Sequence, residues 1–167
     1  MRLDYQGISG SVFGASAYWG RSGQADSDTH ETTILDVHVD VRFKGLYFRS
    51  VAAATQVNGA NRLANSTTLI GVADQSYGAY VELGYDVFRL FAINQELLPH
   101  VRIEKIDTQY RLAAGNNWDR QHEQNVLTFG LAYKPIRQVV AKVDYSIYSN
   151  KADTGVNQLN FALGYLF

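Results

Sequence analysis

The sequence predicts an all-β protein: an antiparallel transmembrane β-barrel of eight meander strands. Three observations carry this reading. Apolar and polar residues alternate with a period of two through successive segments of about ten residues, the signature of strands with two unlike faces. No apolar run approaches the roughly 18 residues of a membrane helix, and mean hydropathy is slightly negative although 46% of the residues are hydrophobic. Alternating membrane strands average out in this way. Proline occurs only twice, as long paired strands require.

The elements follow in order. Gly7 to Gly20 reads as the first strand, rich in Gly, Ser and Ala, and its composition does not distinguish its two faces. Arg21 to Glu31 is a polar loop. Thr33 to Phe43 is the cleanest strand: Leu35, Val37, Val39, Val41 and Phe43 alternate with Asp36, His38, Asp40 and Arg42. Lys44-Gly45 is a tight turn, where glycine supplies the positive φ of a short hairpin. Leu46 to Thr55 returns as the third strand, with Tyr47 and Arg49 on one face and Leu46 and Phe48 on the other. Asn58 to Gln75 is a long polar loop.

The fourth strand runs from Tyr77 to Val87, with Tyr77, Ala79, Val81, Leu83 and Tyr85 opposite Gly78, Tyr80, Glu82, Gly84 and Asp86. Phe88 to Glu96 is a connection with room for a helical turn. The fifth strand, Leu98 to Arg111, sets Val101 and Ile103 against His100, Arg102 and Glu104. A polar excursion around Gly115-Asn116-Asn117 precedes the sixth strand, Val126 to Tyr133. Lys134 to Arg137 turns the chain into the seventh strand, Val139 to Tyr148, where Lys142, Asp144 and Ser146 oppose the apolar set. Asn150 to Gly155 leads to the eighth, Gln158 to Phe167, with Leu159, Phe161, Leu163, Tyr165 and Phe167 on one face.

The connections after the first, third and fifth strands are long and polar, and those after the second and sixth are short. Membrane barrels have short periplasmic turns and longer external loops, and the short turns fall where a last strand ending in the periplasm puts them. A soluble, lipocalin-like ligand-binding barrel would turn its apolar face inward, and a membrane barrel turns it outward. The loop asymmetry favours the membrane. So do Phe43, Tyr85, Tyr133 and Phe167, which stand at the ends of apolar faces as an aromatic girdle would.

On the polar faces stand the pore-lining candidates Asp36, His38, Asp40, Arg42, Arg49, Glu82, Arg102, Glu104, Lys142 and Asp144, together with Asp86. A pore needs wall charges to hydrate and select ions. The structural alternative is that they pair with one another and fill a narrow barrel. Acids outnumber bases among them, which does not make a phosphate path.

Cysteine is absent, so no disulfide framework or thiolate metal site is expected. A net charge of −1 implies no nucleic-acid partner. Asp26, Asp28, His30 and Glu31 cluster in the first external loop, but a hard-cation site needs a defined oxygen cage, and a solvated loop is the expectation. No metal or cofactor is implied. His38, His100 and His122 have no Ser or Asp partner at a motif spacing, so no enzyme activity is expected. Lys105 falls on the apolar parity and is expected to snorkel to the interface. Met1-Arg2-Leu3-Asp4 shows no secretion signal, which suggests a mature chain or a missing N-terminal portion.

Two resemblances extend this reading. The final stretch Q-L-N-F-A-L-G-Y-L-F resembles the C-terminal targeting strand of bacterial outer-membrane barrels, with Asn160 as the upstream polar residue, Tyr165 as the penultimate aromatic and Phe167 as the terminal one. Ala162 stands where glycine is usual. A-Y-W-G-R-S-G-Q (Ala17 to Gln24), L-P-H-V-R-I-E-K-I-D-T-Q (Leu98 to Gln109), Y-K-P-I-R-Q-V-V-A-K-V-D-Y (Tyr133 to Tyr145) and G-V-N-Q-L-N-F-A-L-G-Y-L-F (Gly155 to Phe167) resemble the C-terminal half of porins related to the phosphate-selective porins O and P. That resemblance implies an outer-membrane channel for passive diffusion of small hydrophilic solutes or ions. It also implies a larger barrel of 16 to 18 strands of which this chain is the C-terminal part, often a homotrimer. The implied partners are outer-membrane lipid, lipopolysaccharide and the barrel-assembly machinery. Phosphate selectivity is not carried over. The alternative from another class is a closed eight-stranded barrel with a structural or adhesive role, since eight strands leave an interior that side chains fill.

Overall fold

The computed structural model describes residues 1–21, 30–60, 72–112 and 118–166. They form nine strands: β1 (Arg2–Tyr5), β2 (Ser11–Arg21), β3 (Glu31–Phe43), β4 (Leu46–Asn58), β5 (Ala73–Tyr85), β6 (Glu96–Leu112), β7 (Glu123–Ile136), β8 (Val139–Asn150) and β9 (Gln158–Tyr165). All nine belong to one antiparallel meander sheet in sequence order. The expectation of eight strands was one short. Arg2–Tyr5 pairs with β2 through Arg2↔Ser16 to Tyr5↔Phe13, and Gly7 to Gly10, expected inside the first strand, lies in the turn between the two. Four residues are too few to show a period of two, so pairing rather than patterning makes β1 a strand.

The sheet is not closed within the described residues: β1 pairs with β2, and β9 pairs with β8. Two 3₁₀ turns, Val87–Phe91 and Arg120–His122, interrupt the meander among the described residues. The first fills the connection in which a helical turn was expected. Asp86 caps it, its Oδ1 accepting hydrogen bonds from the backbone N–H of Phe88 (3.2 Å) and of Leu97 (3.1 Å). No helix among the described residues is long and apolar enough to cross a membrane, which does not bear on a barrel, since a barrel crosses with strands.

Turn chemistry sets the register. Lys44 (φ 49°) and Gly45 (φ 89°) both take positive φ, the requirement of a two-residue type I′ hairpin, and β3 and β4 pair without slip from Phe43↔Leu46 to Glu31↔Asn58. Both prolines sit where the ladder spares them a donor. Pro99 lies just beyond the last β5–β6 pair, Gly84↔His100, and Pro135 lies in the register shift between Tyr133 and Ile136. At one end of the sheet the connections are 6–10, 44–45, 86–95 and 137–138 (the turn end). At the other they are 22–30, 59–72, 113–122 and 151–157 (the loop end).

This sheet has almost no core. Ala60, Val126 and Ala132 are the buried hydrophobic residues among those described, and no large side chain is fully buried. Backbone ladders hold the strands, and the alternation assigns every side chain to one of two faces. One face carries Phe13, Leu35, Val37, Phe48, Val81, Ile103, Leu127, Phe129, Val143 and Phe161, in register from strand to strand. The other carries Asp36, His38, Asp40, Arg49, Glu82, Arg102, Glu104, Lys142 and Asp144.

Candidate functional site

The polar face is the concave one. A cavity of about 480 Å³ is lined by Arg42 of β3, Glu82 of β5, Arg102 of β6 and Asn160 of β9 among others. Neighbouring strands are about 4.8 Å apart, so a cavity touching both β3 and β9 requires the sheet to curl toward that face. A contact that skips a strand confirms the curl: Tyr47 Oη on β4 donates to Glu96 Oε2 on β6 at 2.7 Å. Lys134 on β7 donates to Glu96 Oε1 at 2.6 Å, and its ammonium lies 5.8 Å from the Tyr47 ring centre.

Cross-strand register brings the expected wall residues together on this face. Asp40 opposes Arg49, Arg49 opposes Glu82, and Glu82 opposes Arg102, so four successive strands present alternating charge along one row. Opposite charges directly across a ladder are favourable and like charges are not. Arg49 Nε lies 3.0 Å from Asp40 Oδ2, and its Nη1 lies 3.7 Å from Glu82. Arg42 Nε lies 3.4 Å from Asp40. Arg102 pairs with Glu104 at 2.6 Å, and its guanidinium carbon stands 3.9 Å from the Tyr80 ring centre. Lys142, opposite Ala162, makes no ion pair among the described residues.

Asp86 does not join the wall. It follows the last residue of β5 and is occupied with backbone N–H groups. Of the residues expected in the assembly signal, Asn160 lies on the polar face opposite Asp144, and Tyr165 lies on the apolar face opposite Val139. Phe167 is outside the described residues, as are Asp26 and Asp28. Glu31 is 3.7 Å from Arg21, His30 is buried beside Gly59, and no group of three His, Asp or Glu residues among those described is arranged to hold a metal. Lys105 stands within a longer strand than expected and lies 3.5 Å from Glu123.

What the spacing could not show is a device that occurs twice. His38 on β3 faces Gly14 on β2, which faces Asp4 on β1, and His38 Nε2 reaches across the glycine to Asp4 Oδ1 at 3.0 Å. His100 on β6 faces Gly130 on β7, which faces Asp144 on β8, and His100 Nε2 reaches across to Asp144 at 3.3 Å. A Cβ on either glycine would collide with both the imidazole and the carboxylate. Each glycine is the slot through which the ring spans three strands. The partner aspartates lie far away in sequence, so the histidines that lacked a partner at motif spacing do have one in space. His38 Nδ1 also lies 3.0 Å from Asp36, which accepts a hydrogen bond from Ser16 Oγ. This is not a hydrolytic triad, because the carboxylate, not the imidazole, stands next to the hydroxyl.

No family model matches the chain, and no solved structure matches it. A protein of Aquifex aeolicus (strain VF5), described as an uncharacterized protein, is 28% identical over 120 residues, which is 70% of this chain and 28% of that protein. The chain therefore spans little more than a quarter of the length of the relative it matches.

Proposed function

We propose that this sheet is part of the wall of an outer-membrane channel that passes small hydrophilic solutes or ions by diffusion. One observation carries the reading: the charged face is enclosed and the apolar face is exposed. On the central strands Ile103 and Phe129 are 64% and 51% exposed, whereas the side chains of Glu82, Glu104 and His100 are 23%, 19% and 11% exposed. That inversion suits lipid outside and water inside and is the reverse of a lipocalin-like barrel. Strands β2 to β8, of 11 to 17 residues, are long enough for the 9–11 residues that cross a bilayer.

The wall needs more strands to close. In lipid every backbone polar group requires a partner, and the free edges of β1 and β9 have none within the sheet. The larger porin-like barrel supplies them, and the greater length of the Aquifex relative is in keeping with it. The alternating row Asp40–Arg49–Glu82–Arg102 then gives a hydrated wall without a strong bias toward either ion sign. Recording the full-length protein in planar bilayers tests the proposal. Stable open-channel steps with weak ion selectivity are expected, and a folded, inserted protein that never conducts would refute it.

A further inference from the structure

The two ends of the sheet differ in their free charges, and the difference identifies a partner surface at the turn end. Three successive connections there each expose one cation: Lys44 between β3 and β4, Arg89 between β5 and β6, and Arg137 between β7 and β8. None has a carboxylate partner among the described residues. The acids at this end are engaged: Asp86 with two backbone N–H groups, and Glu96 with Tyr47 and Lys134. At the loop end the cations Lys105, Lys151 and Arg21 are paired with carboxylates. Arg111 and Arg120 there make no ion pair among the described residues, but the same end also carries the acids Asp74, Asp119 and Asp153. Among the described residues, the turn-end connections carry exposed cations and no acid other than the engaged Asp86.

That charge sits on an apolar base. Leu90 and Phe91 of the 3₁₀ turn are 66% and 71% exposed, and Phe43 and Ile136 are exposed beside them. Lys44 Nζ lies 5.2 Å from the Phe43 ring centre. Arg89 lies against Gly45, whose missing Cβ leaves room for the Arg89 stem. Turns two strand-pairs apart are about 10 Å from one another, so the cations form a spaced arc rather than a single anion cradle. Large apolar side chains beneath separated cations are the chemistry of an interface with anionic lipid: acyl chains against Leu90, Phe91 and Ile136, and phosphates against the cations.

We infer that this arc, Lys44, Arg89 and Arg137 over Phe43, Leu90, Phe91 and Ile136, binds the headgroups of anionic phospholipids in the membrane leaflet that surrounds the turn end. The inference rests on the membrane reading above and adds the lipid class. A cation near an anionic bilayer surface contributes about a fivefold preference, the factor that corresponds to about 1 kcal/mol.

The test uses the full-length protein refolded into phosphatidylcholine vesicles, with spin-labelled phosphatidylglycerol or spin-labelled phosphatidylcholine as the probe and the motionally restricted fraction as the readout. About a fivefold preference for phosphatidylglycerol is expected, lost in the Lys44→Gln/Arg89→Gln/Arg137→Gln variant and unaffected by excess inorganic phosphate. Insertion is checked separately by heat-modifiable mobility in phosphatidylcholine alone. Wild-type protein that inserts without lipid preference would overturn the inference, as would a preference that survives the triple substitution or one abolished by free phosphate. If the triple variant does not insert, Arg137→Gln alone carries the comparison, with a smaller but measurable loss expected and an unchanged preference counting against the site. Wild-type protein that inserts into no vesicle would refute the membrane reading and this inference with it.

Discussion

The two faces of the sheet share every backbone hydrogen bond and differ in everything else. On the apolar face, Ile103 stands between Val81 and Leu127, and in the proposed channel its only requirement is to be apolar toward lipid. On the polar face, one position along from it, Arg102 stands between Glu82 and Thr128 and stacks on Tyr80, and its requirement is a set of particular neighbours. Soluble proteins put the specific contacts among apolar residues in a packed core and leave charges loosely solvated. Here the roles are exchanged, so the solvent on each side, rather than a core, defines the fold.

The strongest way to break that comparison is a charge on the apolar face. Ile103→Arg should cost about 2–4 kcal/mol, the range for a basic residue at the midplane of a membrane barrel. Asn160→Lys, which places a charge opposite Asp144 on the polar face, should stay within about 0.5 kcal/mol. Urea unfolding of the full-length protein in vesicles, followed by intrinsic fluorescence, measures both. Equal costs would mean that the two faces do not meet different solvents.

A smaller effect is expected at the glycine slots. Gly130→Ala forces His100 and Asp144 apart, and the His100 ring already has a buried Nδ1 without a hydrogen-bond partner. The expected cost is about 1 kcal/mol, at the centre of the mutational range, because the displaced atoms are the ends of side chains that can rotate away. Gly14→Ala should cost a similar amount. The two slots lie on β2 and β7, share no partner, and should add. A double variant that departs from additivity by more than about 0.5 kcal/mol would show that the slots communicate across the sheet.

Most of the fold was legible because its period of two is undiluted. The alternation of Leu35 to Phe43 with Asp36 to Arg42 gave both the strand and its two faces, and the pairing of β3 with its neighbours keeps those faces intact. β1 was not legible, since four residues carry no periodic signal. The grouping of the expected wall residues followed from parity, but their partners did not: Asp40 reaches Arg49, nine positions on, across a hairpin, whereas His100 reaches Asp144 across an intervening strand. A histidine and a glycine in register on adjacent polar faces was the available signal, and it becomes readable only once the register is known. Asp86 looked like a wall charge by parity. It is a cap, because the strand ends one residue before it.

The charge ladder sharpens the comparison from the polar side, where stability and function should separate. Arg49→Ala removes the bridge between Asp40 and Glu82. Asp40 keeps Arg42 at 3.4 Å, and Glu82 keeps Arg102 opposite it. Half-exposed pairs contribute about 0–1 kcal/mol, so the urea midpoint should hardly move. The wall nevertheless loses one positive charge, and the reversal potential of the open channel in a salt gradient should shift toward cations. A large loss of stability without a shift in selectivity would assign Arg49 to structure alone.

The smallest expected effect lies at the loop end, beyond the apolar band of the sheet. Glu123 opens β7 at the loop end, beyond the apolar set Leu127 to Tyr133. Lys151 Nζ lies 2.5 Å from its carboxylate and Lys105 Nζ lies 3.5 Å away. The hydrogen bond from Lys151 is the main reason its pKa falls below the ordinary 4.5, with the charge of Lys151 and the contact with Lys105 adding to it. A carboxylate whose pKa is lowered on folding stabilises the fold at pH values above its unfolded pKa, and that stabilisation is lost as the pH drops through the folded value. Between about pH 7 and about pH 3 the wild-type urea midpoint should therefore fall slightly more than that of Glu123→Gln. Both lysine partners are exposed, so added salt should narrow the gap. Identical acid profiles for the two proteins at low salt would show that the Lys105–Glu123–Lys151 cluster contributes nothing to the stability of the wall.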